Sequence, residues 1–167
     1  MTTASISNRF LKALDDEATA TRKCLEGVSE NLFGWKPHEK SMAMGYLAVI
    51  VAEVPRWITD MAKEPSLDVV TYTHPDVKTA ADLVAYFDKN MQEVRAALKD
   101  MPDEKFDEMF DLKANGKTLT TLSRKDNIDP IIRHWVHHRG QLTVYLRLNN
   151  IPVPSLYGPS ADDRGDF

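Results

Sequence analysis

Three of the chain's five histidines, His134, His137 and His138, fall within the stretch RHWVHHRGQLTVYLRLNN. Neutral imidazole is the commonest protein ligand for transition metals, so the cluster raises metal chemistry first. Ligands act only where they converge. A helix turns about 100° per residue, and on that wheel Ile128, Ile131, Trp135, Leu142 and Leu146 set the apolar arc. His138 lies about 40° from the centre of the arc, His134 about 80° and His137 about 140°. His134 and His138 therefore share a face, one turn apart, at the edge of the core. His137 points elsewhere, with Val144 and Leu148, as a surface or subunit-contact residue. Spacing alone leaves two readings open: a chelating pair, or two polar residues at the core edge, each hydrogen-bonded to a neighbour.

Other chemistries lack their signatures. The zincin motif HExxH is absent, because Trp135 stands where its glutamate would be. There is no cysteine cluster for a structural zinc, no G-x-S-x-G and no glycine-rich phosphate loop. Gln141 shares the histidine face and is placed to orient either His138 or a bound ligand. Arg139 falls on the far side of the arc centre from the histidine face and needs a carboxylate, from Glu17, Asp16 or the tail. Trp35, Trp57 and Trp135 read as core or lid aromatics. Tyr157 reads as an anchor for the tail, and His38 and His74, beside prolines, as exposed loop residues.

Four helices are expected to position these groups. The first carries apolar residues at Ile6, Phe10, Leu14, Ala18, Leu25 and Val28, and ends before FGWKPHEKS. The second, MAMGYLAVIVAEVPRWITDMA, is apolar nearly all round and so buried on most sides; Ser41 is its expected cap and Pro55 an expected kink. Thr79 and Asp82 open the third in the manner of a capping box, followed by a stripe of Leu83, Phe87, Met91, Val94 and Leu98. The fourth is expected from about Ile128 to Asn149. Asn115-Gly116 marks a small hairpin or loop insertion between the third and fourth helices, near residues 106–120. The fold class is thus all-α, a four-helix bundle, in a single domain over residues 1–167 with a proline-rich tail.

Composition narrows the partners. A formal net charge of −4 and a pI near 5.7 argue against a nucleic-acid surface. The longest apolar run, Met42 to Val54, is too short for a bilayer and contains Glu53. No signal-peptide pattern opens the chain, and its single cysteine, Cys24, fits a reducing cytoplasm.

Two segments, TRKCLEGVSENLFGWKPHEKSMAMGYLA and HWVHHRGQLTVYLRLNNIPVPSLYGPSADD, and their order resemble the DinB-like (DinB/YfiT) family of candidate metalloenzymes. The resemblance covers nearly the whole chain. It implies a four-helix bundle with long crossover connections, commonly a homodimer. It also implies a divalent metal, zinc or nickel, held by one histidine of the second helix and an H-x-x-x-H pair of the fourth. His134 and His138 match that pair. Members often read Leu-Ala-x-His-x-Ala-Glu in the second helix, whereas this chain reads LAVIVAE, with Ile50 at the ligand position.

Two ligands fall short of the three protein ligands usual for catalytic zinc. Glu53, one turn beyond Ile50, is the candidate replacement; its other expected role is a hydrogen-bonded carboxylate near Pro55. The resemblance thus implies a metal-dependent enzyme, a hydrolase or a transferase of small thiols, with a degenerate site. The alternative from Ile50 is a non-catalytic, metal-free member, acting as a binder of a small-molecule ligand or a dimeric scaffold.

Overall fold

The structure, a computed structural model, describes residues 5–165. Helix α1 (Ile6–Glu26) starts at Ser5, whose hydroxyl accepts the Asn8 N–H and satisfies one of the orphan donors of a helix start. Its stripe of Phe10, Leu14, Ala18 and Leu25 is buried, as the spacing demanded. Helix α2 (Met44–Lys63) is buried on nearly every side and packs against α3 (Ala80–Leu98), α5 (Arg124–Leu148) and α1. Ser41 does not cap it; the helix begins after Ala43. It continues through Pro55, and the Thr59 hydroxyl donates to the Pro55 carbonyl. Gly45 lies where the chain before α2 folds back. A Cβ there would sit 2.9 Å from the Phe33 Cβ, so a side chain would push the two apart.

Helix α3 is capped by Thr79, which accepts the Asp82 N–H at 3.0 Å. The last long helix, α5, begins earlier than expected, at Arg124. Ser123 caps it by accepting the Asp126 N–H, and Pro130 is accommodated inside it.

The all-α expectation needs correcting. A short fifth helix, α4 (Asp103–Asp107), follows α3, and a three-stranded sheet joins the bundle. The expected hairpin is present: β2 (Met109–Ala114) and β3 (Lys117–Ser123) pair antiparallel around Asn115-Gly116. Both turn residues have positive φ, 49° and 75°, which asparagine and glycine accept at low cost. The third strand, β1 (Ser66–Asp68), directly follows α2 and pairs parallel with β2. Its end is fixed by the Asp68 carboxylate, which accepts the N–H groups of Asn115 and Gly116 at 3.1 and 2.7 Å. Those backbone donors hold the Asp68 pKa below the usual carboxylate value. Three residues carry too little periodicity to be read as a strand. The fold is therefore mostly helical, with a small sheet laid over one end of α2 and α5.

The tail after α5 returns across the bundle. Arg139, almost fully buried, donates to the Glu17 carbonyl and to the Thr21 hydroxyl, and pairs with the Glu17 carboxylate at 2.6 Å. Its other nitrogen reaches the Tyr157 hydroxyl at 2.8 Å, and that hydroxyl also contacts Glu17. The paired arginine and the anchoring tyrosine of the sequence thus meet at one junction. Cys24 is buried, and burial pushes its thiol up to about 11, which makes it a small hydrophobe with no thiolate to offer at neutral pH.

Candidate functional site

His134, on the histidine face of α5, lines a cavity of about 310 Å³. Ile50 and Trp57 of α2, Ile131 and His134 of α5, Leu67 of β1 and Leu112 of β2 line it. Tyr72 and His74, on the segment joining β1 to α3, and Tyr46 of α2 line it as well. Its lining is mostly apolar and aromatic, the usual character of a small-molecule pocket.

His134 and His138 lie on one face, with ring centroids 4.2 Å apart and ring planes nearly perpendicular. His138 is buried, and its Nδ1 is 2.7 Å from the Gln141 Oε1. An amide oxygen only accepts, so His138 carries a hydrogen on Nδ1 and its Nε2 is the free nitrogen. Gln141 thus stands where an orienting partner was expected. His134 is half-buried, packs against the Trp57 ring at 5.7 Å, and has no side-chain hydrogen bond among the described residues. Burial, reinforced by the neighbouring imidazoles of His138 and His137, lowers the His134 pKa. Burial also lowers that of His138, against the opposing effect of Gln141. Both rings are therefore neutral at pH 7, the form that binds ligands and metals. His137 is exposed and points off this face, although its ring lies 5.1 Å from His138.

Ile50 meets His134 across the cavity, on the helix from which the resemblance draws the third ligand. Glu53 does not stand in for it. Its carboxylate is fully buried, and every oxygen is engaged: Tyr86 donates to Oε1 at 2.8 Å, and Trp57 Nε1 donates to Oε2 at 3.2 Å. His74 Nδ1 lies 2.6 Å from Oε2, and Arg56 approaches Oε1 at 3.7 Å. His74 is thereby the residue that sequence reasoning missed. It is an exposed residue beside Pro75, as expected, but its ring is one-third exposed and tied to α2 through Glu53, and that tie is what went unseen. The missed signal was Glu53 itself, a charge in an apolar helix that had to find donors. Trp57 is a cavity wall, whereas Trp135 is core, donating to the Val51 carbonyl at 2.8 Å.

A three-ligand metal centre does not fit these side chains. Ile50 has no donor atom, Glu53 is committed elsewhere, and among the described residues no group of three His, Cys, Asp or Glu is placed to hold an ion. Among the described residues, no helix is long and apolar enough to cross a membrane.

The class is thus a helical bundle with a small sheet over one end, in which one imidazole of the α5 pair, His134, lines an apolar cavity. The profile of the DinB family matches residues 1–164, and the chain belongs to that family. The uncharacterised protein YrdA of Bacillus subtilis (strain 168) is 27% identical over 170 residues, spanning 96% of this chain and 93% of YrdA. The crystal structure of the dinb-like protein YjoA of Bacillus subtilis superposes with a TM-score of 0.68 at 20% identity, over 87% of this chain and 96% of that one. A dinb-like protein of Bacillus cereus ATCC 10987 gives 0.71 at 21% identity, over 90% and 97%. At such identities the structures share the fold.

Proposed function

We propose that this DinB-family chain binds a small, largely apolar molecule in the cavity between α2, α5 and the sheet, with the imidazole of His134 on its wall. The carrying observation is the cavity: about 310 Å³, aromatic-walled, and touching both Ile50 and His134. A cavity of roughly 150 Å³ suffices for benzene, so there is room for one substituted ring. The binding reading needs no third metal ligand, and Ile50 serves it as apolar wall.

Calorimetric titration with 4-methylanisole, a neutral single-ring probe, tests this. Saturable binding by wild type that Leu112→Trp removes by filling the cavity is the expected outcome. No binding, or binding untouched by Leu112→Trp, would overturn it.

A second reading keeps the family's metal chemistry, a hydrolase or small-thiol transferase dependent on zinc or nickel. What favours it is the close, mutually perpendicular pair His134 and His138 with Gln141 behind. Metal content after dialysis, in protein purified without chelators or a histidine tag, separates the two readings. Stoichiometric metal supports the second; none, with no uptake on titration, removes it.

A further inference from the structure

Glu53 is a charged group with no exposed surface, and the groups around it fix more than its own position. Trp57 and Arg56 can present only hydrogens to it, and the Tyr86 hydroxyl, which accepts from Arg56, donates its own hydrogen to Oε1, so the carboxylate is an acceptor towards all three. Its fourth neighbour, His74 Nδ1, must then be a donor as well. Holding the hydrogen on Nδ1 makes Nε2 of neutral His74 an acceptor, the same logic by which a buried carboxylate sets a catalytic imidazole's tautomer. That ring lines the cavity, and its Nε2 has no hydrogen-bond partner among the described residues.

Of the other polar groups of the cavity, the Tyr46 hydroxyl has no hydrogen-bond partner among the described residues, and the rest are spoken for or unfixed. The Tyr72 hydroxyl donates to Asp60 at 2.7 Å, and the Trp57 N–H is used by Glu53. No partner among the described residues fixes the His134 tautomer. Arg56 does not line the cavity; it bonds the Tyr86 hydroxyl and the Thr73 carbonyl and lies over the Tyr72 ring. No lysine or arginine lines the cavity to receive an anion, while the Glu53 carboxylate lies just behind its wall.

We propose that the Glu53–His74 pair is a specificity device of this cavity, selecting small aromatic molecules that bear a hydroxyl donor, such as phenols. The hydroxyl donates to His74 Nε2 while the ring packs against Tyr46, Trp57 and Ile50. Glu53 is the positioning residue: it keeps His74 in the accepting tautomer and discriminates against carboxylate-bearing ligands. This inference rests on the small-molecule reading above. It assigns a role to the burial of Glu53 beyond fastening the segment between β1 and α3.

The test compares 4-methylphenol with its O-methyl ether, 4-methylanisole, by calorimetry on wild type and His74→Phe. Wild type should bind the phenol about tenfold more tightly, the worth of one net hydrogen bond. His74→Phe, which keeps a ring in the wall but cannot accept, should bind both equally. Equal binding of the two by wild type would overturn the inference while leaving the cavity reading intact. Binding of neither would overturn both. A preference that survives in His74→Phe would also overturn it, and wild type alone decides the matter should the variant fail to fold.

Discussion

Ile50→His is the perturbation that most sharply probes the histidine face. Ile50 is 7% exposed and sits across the cavity from His134. Removing its buried side chain forfeits about 1.5–3 kcal/mol, and the incoming imidazole loses part of its hydration at a cost of about 1 kcal/mol. A net loss of about 3 kcal/mol lowers the melting temperature of a chain this size by roughly 6–12 °C. A zinc ion bound by the new imidazole with His134 and His138 would stabilise only the folded state. At a free concentration about 100 times its dissociation constant, it returns about 2.7 kcal/mol, nearly the whole loss. Wild type, with two imidazoles, should shift much less. Thermal melts of both proteins, with chelator and with added zinc, read this directly. Equal zinc shifts would mean that wild type already has a complete ligand set. No shift in Ile50→His would mean that the pair does not face position 50.

Three further outcomes are expected. Arg139→Met should destabilise the chain by about 3–5 kcal/mol in urea unfolding, because it leaves the largely covered Glu17 without its cation; a loss under 1 kcal/mol would contradict the pairing. The folded pKa values of His134 and His138 lie below the unfolded value of about 6.5, so the unfolded chain binds protons first on acidification. Their contribution is thus full above about pH 6.5 and is lost as pH falls through the folded values. Melting temperature in chelator should fall between about pH 7 and pH 5.5 in wild type and less in His134→Leu; parallel curves would refute this. Val144 and Leu148 are more than half exposed on α5, and an isologous homodimer should use them. Sedimentation should show a dimer that Val144→Lys with Leu148→Lys converts to monomer, and a wild-type monomer at micromolar concentration would remove the claim.

The sequence made the bundle legible because its signals were long. Long three-or-four stripes placed α1 and α3, a stretch apolar nearly all round placed α2, and Asn115-Gly116 placed the hairpin. Strand β1 was hidden because three residues have no measurable period and its pairing with β2 is non-local. The early start of α5 was hidden because Arg124 is polar yet buried, its guanidinium bonding the Met61 and Glu64 carbonyls. At the site, the wheel placed His134 with His138 because both lie on one helix. It could not place His74, whose position depends on a long connection returning to a carboxylate 21 residues earlier in the chain.

The cavity beside Ile50 and His134 is the proposed binding site of a small molecule. Isoleucine methyls report on it without disturbing it. Ile50 and Ile131 line the cavity, whereas Ile58 and Ile128 are fully buried in the core away from it. In a methyl-labelled NMR titration with 4-methylphenol, the Ile50 and Ile131 signals should move along a saturable curve while those of Ile58 and Ile128 stay nearly fixed. Unmoved Ile50 and Ile131 methyls, or shifts of equal size at all four positions, would contradict it.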